Sequence, residues 1–334
     1  MQIVLASSAF VLAALCAGLM GYAIQRGATC TVAAVDELVS RRSARRLASL
    51  VEAALWVGGG LLLAQALHML PKMPSGYAAS GWTVLGGALL GLGAWVNGAC
   101  VFGAIARLGS GQWAYLVTPL GFYAGCLSVG RLFGMPAVHP LAEGSPVLQA
   151  PPWVAALFVA FALWRSAGVL LGAAPAVSGT APPWHRALAS RVWSPHVATT
   201  VIGISFVVML LAVGAWAYTD VLAELARGMA ANLPGRGLLL LALLLGAMAG
   251  GWTAGRWRHT PPTVAQLARC FGGGVLMGWG SLLIPGGNDG LILVGMPLAW
   301  PYAWLAFATM CVAIGTAQLL QRARRTQMAG GHVS

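Results

Sequence analysis

The sequence predicts an all-α polytopic membrane protein with about nine transmembrane helices, short broken or re-entrant helices among them, and inverted pseudo-symmetric halves. Three observations support this prediction. Of the 334 residues, 59% are hydrophobic and only 8% are charged, apolar runs recur along the whole chain, and one glycine-rich stretch occurs twice. A soluble domain carries roughly 25% charged residues. Helices are expected because an open sheet cannot satisfy its backbone groups in lipid.

Nine apolar segments approach the ~20 residues that a spanning helix needs. They cover residues 3–24, 50–70, 82–98, 113–133, 152–174, 197–218, 237–255, 270–284 and 299–321. The first lacks a basic leading region and carries only a weak cleavage site, so we interpret it as a span rather than a signal peptide. The whole chain, 1–334, is predicted to be one integral membrane domain, with half one at about 1–150, half two at about 151–325 and a tail at 326–334.

The net charge of +12 follows from arginines at the ends of apolar runs, where they set topology rather than bind nucleic acid. The basic loops at 41–46, 185–191, 256–259 and 321–325 are predicted to be cytoplasmic, and the less basic loops at 71–76, 134–146 and 219–228 to face outward. This alternation predicts a multi-pass protein of the bacterial inner membrane. Its N-terminus lies outside and its C-terminus in the cytoplasm, with the lipid bilayer as its main partner.

The glycine-rich repeat has an offset of 187 residues. The stretch from Gly86 aligns without a gap with the stretch from Gly273, giving nine identities in thirty positions. Trp113 and Tyr115 align with Trp300 and Tyr302, which is harder to obtain by chance than a match of glycines. Paired glycine-interrupted segments in two halves are typical of a transporter's midplane binding site. The alternative is ordinary close packing of helices through small residues.

Three glycine-rich turns hold the candidate permeation residues. These are Gly27 and Cys30 in the first turn, Gly98, Cys100 and Gly103 in the second, and Gly287, Asn288, Asp289 and Gly290 in the third. A thiol is a polarisable, weak donor that can contact a sulfur atom without holding it tightly. The other cysteines, Cys16, Cys126, Cys270 and Cys311, are predicted to be buried apolar groups. Without a CxxC motif, neither a metal site nor a disulfide framework is predicted, and no cofactor is expected.

The motifs "GLMGYAIQRGATC", "GGALLGLGAWVNGACVFGAIARLGSG" and "GGGVLMGWGSLLIPGGNDG" together resemble the YeeE/YedE family of bacterial sulfur transporters. Studied members of that family take up thiosulfate. The resemblance implies an hourglass-shaped inner-membrane permease, not an enzyme, in which Cys30 and Cys100 pass a small sulfur-containing anion along by S–H···S hydrogen bonds. A cytoplasmic sulfur-carrier protein is a candidate partner.

The third motif departs from the family pattern, because Asn288 stands where a thiol is expected and no histidine follows. An ionised Asp289 would repel a dianion such as thiosulfate. Three alternatives remain open at this stage: burial neutralises Asp289, Arg26 or Arg107 pairs with it, or it binds a coupled proton or cation. Capping of a half-helix that begins at Gly290 is compatible with all three.

Two other functions are weighed against a permease. Cys30 and Cys100 could be the redox or sulfur-transfer pair of a membrane thiol protein, which would need a reactive thiolate. The chain could also be a structural subunit of a larger complex. The sequence holds no GxxxxGK[ST] phosphate-binding loop, so we do not expect ATP to drive uptake through this chain alone. The oligomeric state is not predicted.

Overall fold

The computed structural model of the chain describes residues 7–134, 139–142, 144–171, 192–228 and 233–330. These residues fold into helices, with two isolated β-bridges, Tyr77 to Pro140 and Gln112 to Thr260. The prediction of an all-helical membrane protein is confirmed for this part of the chain. The predicted cytoplasmic loop at 185–191, the start of the first span, parts of the loops at 134–146 and the tail at 331–334 lie outside the described residues.

The helices follow one another in two similar series. The first series is α1 (Ser8–Gly27), α2 (Thr31–Arg41), α3 (Arg45–Ala66), α4 (Gly81–Asn97), α5 (Val101–Gly109) and α6 (Val117–Leu132). Helix α7 (Pro152–Leu171) comes next. The second series is α8 (Pro195–Val213), α9 (Tyr218–Ala226), α10 (Leu233–Thr253), α11 (Val264–Leu283), α12 (Asn288–Gly295) and α13 (Pro301–Gly330).

Six helical stretches of the described chain are long and apolar enough to cross a membrane, or seven if α11 and α12, bent by 51°, form one span. Each of the nine predicted segments contains a helix, but α6 and α7 fall short of this criterion. With 16 residues, α6 is roughly 24 Å long, less than the ~30 Å hydrocarbon core of a bilayer. The predicted span 197–218 also ends early, because Gly214 with φ +92° terminates α8 at Val213.

The repeat is longer than the sequence comparison indicated. The first residues of α2 and α9, Thr31 and Tyr218, are 187 residues apart, and so are the first residues of α5 and α12, Val101 and Asn288. The long helices α1 and α8 begin at the same offset. Each half therefore contains two long helices that break and continue as a short helix, which gives four breaks in all. The opposite membrane orientation of the halves stays a prediction.

Close contacts between long helices hold the four breaks in place. Helix α1 packs against α8 and α10, and α11 packs against α4 and α6. Glycines lie at the contact between α6 and α11 on both helices. A Cβ atom on Gly121 would overlap the Phe271 carbonyl, and one on Gly274 would overlap the Thr118 carbonyl. Small residues four apart allow such backbone approach, and van der Waals packing then stabilises the pair.

We expect Gly274→Ala to lower the melting temperature of the detergent-solubilised protein, because the added methyl group must displace the α6 backbone. Overpacking of this kind costs about 1–3 kcal/mol. Gly272→Ala is the matched control, since it lies in the same helix and an added Cβ would meet nothing within 4 Å. A Gly274→Ala variant as stable as Gly272→Ala would contradict the close packing of α6 on α11.

Candidate functional site

The four breaks meet where the short helices begin. Cys30 precedes α2, Cys100 precedes α5, Ala217 precedes α9 and Gly287 precedes α12. Helix α5 contacts both α2 and α12, and α12 in turn contacts α9. The first N–H groups of a helix have no partner within that helix. Four sets of backbone donors that need partners from elsewhere are therefore brought together. This is the arrangement that a polar ligand at membrane depth requires.

The two turn cysteines hold each other's helices. The Cys100 backbone N–H donates to Cys30 Sγ at 3.5 Å, and the Thr31 N–H, at the start of α2, donates to Cys100 Sγ at 3.1 Å. Each thiol thus contacts the backbone of the break that holds the other. Cys100 is fully buried, whereas Cys30 is partly accessible. The predicted pair Cys30 and Cys100 is therefore placed side by side.

The glycines predicted around these cysteines have different roles. A Cβ atom on Gly103 would lie 2.5 Å from Cys30 Sγ, so this glycine makes room for the sulfur against α5. Gly98 ends α4 with φ +76°, a conformation that other residues rarely adopt. Gly27 lies against Ala198 instead, where it allows α1 to approach α8.

Asn288 brings the fourth break to the thiols. Its side chain is completely buried, and its Nδ2 donates to Thr31 Oγ1 at 3.1 Å. Thr31 is the same residue whose backbone N–H donates to Cys100 Sγ. Asn288 is thus connected to the cysteine pair through Thr31.

Asp289 caps a helix other than its own. Its carboxylate accepts hydrogen bonds from the Thr219 backbone N–H, at 3.2 Å, and from the Thr219 hydroxyl. Thr219 lies in the first turn of α9, which begins after Ala217, a residue without a capping side chain. Gly287 allows this contact, because a Cβ there would overlap Thr219 Oγ1. Asp289 therefore caps α9, and the predicted half-helix begins at Asn288 rather than at Gly290.

The arginines predicted as partners of Asp289 make other contacts among the described residues. Arg26 donates to the hydroxyls of Tyr22, at 2.6 Å, and Thr253, at 2.9 Å. Arg107 donates to Gln112 at 3.3 Å and lies over the ring of Tyr115. The pairing alternative is corrected accordingly, since the described contacts of the Asp289 carboxylate are with Thr219.

Two cavities approach the breaks. The larger, of about 810 Å³, reaches Cys30 and Gly103. Its wall carries Arg46, Arg107, Arg256, Arg269, Arg322 and Arg325, with Asp36 as its acidic residue. A second cavity of about 330 Å³ is lined by Tyr77, His139 and Tyr302 and reaches Pro285 in the fourth break. A wall with this excess of positive charge concentrates anions.

Buried polar atoms without a hydrogen-bond partner cluster at the breaks. Among the described residues they include Thr29 Oγ1 in the first break, Trp216 Nε1 in the third and Asn288 Oδ1 in the fourth. Buried polar groups nearly always have partners. Three of the four breaks thus each carry a buried polar atom that could contact a polar ligand.

A family model described as sulphur transport matches residues 26–316, which include all four breaks. The chain belongs to the sulphur transport (YeeE/YedE) family. This confirms the resemblance seen in the three glycine motifs. As a family member with several membrane-spanning helices, the chain is a multi-pass transporter of a sulfur compound. No curated protein matches the chain.

Sequence reasoning missed Thr31, Thr219 and Asp220 at the site of this sulphur transport protein. The aligned repeat covered residues 86–115 and 273–302, so it paired the second and fourth breaks only. Extending the same offset toward the N-terminus pairs Cys30 with Ala217, and so directs attention to 217–220. The hydropathy and charge of that stretch predict instead the end of a span and an outward loop.

The different exposure of the two thiols can be measured. In variants that keep one of the pair and have alanine at the other five cysteine positions, we expect a small maleimide to modify Cys30 much faster than Cys100. The reason is that Cys30 lines the larger cavity, whereas Cys100 has no exposed surface. The free thiol of each denatured variant is the control for complete labelling. Equal rates for the folded variants would contradict the placement of the cavity.

Proposed function

We propose that this protein takes up thiosulfate, or a closely related small sulfur-containing anion, through the constriction at which the four breaks meet. The observation that carries the proposal is the cysteine pair, whose sulfurs cap each other's short helices at the end of an arginine-lined cavity. Membership of the sulphur transport family supports the class of substrate.

The geometry suits a sulfur atom in transit. Each thiol sulfur already accepts a backbone N–H, which leaves its own S–H free to donate to the terminal sulfur of thiosulfate. Such a bond is weak, so the anion can leave as readily as it arrives. The unpartnered N–H of Trp216 and the second N–H of the Asn288 amide, whose first N–H donates to Thr31, can donate to the oxygens of the anion.

The charge of the cavity walls suggests a direction. The arginine-lined cavity includes residues of the basic segments at 41–46, 256–259 and 321–325, which the positive-inside rule assigns to the cytoplasm. The anion would then enter from the cavity at Pro285, pass the thiols and leave into the basic cavity. In this scheme the protein lies in the bacterial inner membrane, and a cytoplasmic sulfur carrier could collect the product.

One observation also favours a thiol redox role, namely that Cys30 and Cys100 lie side by side, each sulfur hydrogen-bonded to the backbone of the other break. The two functions differ in what they need from the pair. A redox role requires the pair to cycle through a disulfide, whereas passage of the anion leaves both thiols reduced. Counting free thiols by mass spectrometry after many rounds of thiosulfate uptake separates the two, and a pair that stays reduced supports the permease.

We expect Cys30→Ala and Cys100→Ala each to reduce uptake of ³⁵S-thiosulfate in cells roughly five- to twelvefold, because an S–H···S contact worth about 1–1.5 kcal/mol is removed. Cys311→Ala is the control, since Cys311 lies in the middle of α13, away from the breaks. Expression is matched by immunoblotting. Wild-type uptake by both variants, in cells that lack other sulfur importers, would contradict a role for the thiols.

Arg107→Gln should raise the KM for thiosulfate roughly two- to fivefold with little change in the maximal rate, because one partly exposed charge contributes about 0.5–1 kcal/mol. Arg107 lines the large cavity beside Cys30. Arg131→Gln, at the exposed end of α6, removes an equal charge elsewhere and should leave KM unchanged. The same shift in both variants would show that net charge, rather than the cavity, attracts the anion.

A further inference from the structure

Asp220, which is half-buried, and the buried Asp289 form an acidic pair that the passage of the anion through the cysteine constriction does not explain. Asp289 is 2% exposed and accepts hydrogen bonds from Thr219, the residue before Asp220. The carboxylate of Asp220 lies beside Gly290, the residue after Asp289, because its Oδ1 is 3.9 Å from the place that a Cβ on Gly290 would occupy. The two carboxylates therefore flank the contact between α9 and α12.

The charged and titratable groups around this pair come from several elements. On α9 itself they are Tyr218, Glu224 and, at its end, Arg227. Arg236 faces the pair from α10 and Tyr302 from α13, while Cys100, just before α5, faces Tyr218. Glu224 forms an ion pair with Arg236, so this positive charge is already matched to another carboxylate. Two ionised carboxylates at this place would repel each other in a poorly solvated site, and one bound proton removes that repulsion.

The surroundings accommodate both charge states of Asp289. When it is ionised, the N–H of Thr219 and the positive end of α9 hold the negative charge. When it is protonated, the carboxyl O–H can donate to the Thr219 hydroxyl, which is able to accept as well as donate. A carboxylate bound to an arginine would lack this freedom, because its partner would favour the ionised state alone.

Unpartnered polar atoms near the pair point independently to a polar ligand. Asn288 Oδ1 and Trp216 Nε1 are buried without partners among the described residues, and they belong to the two breaks that hold Asp289 and Asp220. Asn288 also connects the pair to the thiols through Thr31. An anion at the thiols is therefore close enough for its charge to interact with Asp289.

We propose that Asp289 and Asp220 carry the proton that accompanies the sulfur anion, so that the protein is a proton-coupled symporter. The proposal rests on the proposed function and adds its driving ion. An ionised Asp289 repels the anion, and a bound anion favours protonation of Asp289. The proton and the anion therefore promote each other's binding. A proton enters with the anion from the cavity lined by Tyr302, which faces Asp220, and is released after the anion has left.

Proteoliposomes test this proposal with two measurements on the same variants. The first is accumulation of ³⁵S-thiosulfate driven by an imposed pH gradient, acidic outside. The second is counterflow, in which unlabelled thiosulfate inside exchanges for labelled thiosulfate outside without net proton movement. We expect the wild type to perform both. Asp289→Asn should lose accumulation far more than counterflow, because an amide cannot release a proton.

Asp220→Asn is the second variant and is expected to show the same separation of the two activities. If Asp289→Asn does not fold, the same two measurements on Asp220→Asn test the proposal. Glu52→Gln is the matched control, because it makes the same chemical change in an acid that is paired with Arg165 on α7 and lines neither cavity. The control should retain both activities.

Two results would overturn the proton-coupling proposal and leave the proposed function standing. One is accumulation that persists in both aspartate variants. The other is wild-type accumulation that does not depend on the pH gradient while counterflow is normal. Failure of the wild type to show even counterflow of thiosulfate would contradict the proposed function itself, and the proton proposal with it.

Discussion

The capping of broken helices is the constraint on which the rest of this structure depends. A helix that stops inside a membrane leaves backbone N–H groups that lipid cannot satisfy. Here each half solves the problem in a similar way, by offering an acceptor from one short helix to the N–H at the start of another. In the first half the acceptor for Thr31 is the thiol of Cys100, and in the second the acceptor for Thr219 is the carboxylate of Asp289.

The two halves meet this need with different chemical groups, at neighbouring rather than identical positions of the repeat. A thiol and a carboxylate both satisfy a backbone donor, but they offer different chemistry to a passing ligand. The thiol contacts a sulfur atom softly, whereas the carboxylate exchanges a proton. Duplication of one fold has placed a sulfur-binding cap and an acidic cap side by side, with Asn288 and Thr31 joining them. In the proposed mechanism one cap guides the anion and the other supplies its driving ion.

Much of this arrangement could be predicted from the sequence. The hydrophobic runs located a helix in every predicted segment, and the glycine turns located Cys30, Cys100 and Asn288 because breaks need glycine. The contacts between breaks could not be derived, because they depend on how distant helices pack. Asp289 illustrates the difference. Its turn was recognised, but its partner, Thr219, lies 70 residues earlier in the chain. Only the packing of α9 against α12 reveals that Asp289 caps a different helix.

The central claim is that the anion is held where the four breaks meet, between the paired thiols and Asn288. A cryo-electron microscopy map of the protein with bound thiosulfate tests it most directly. We expect density for the anion in contact with Cys30, Cys100 and Asn288, while Asp289 still accepts hydrogen bonds from Thr219. Density for thiosulfate elsewhere, or a fourth break that lies apart from the thiols, would contradict it.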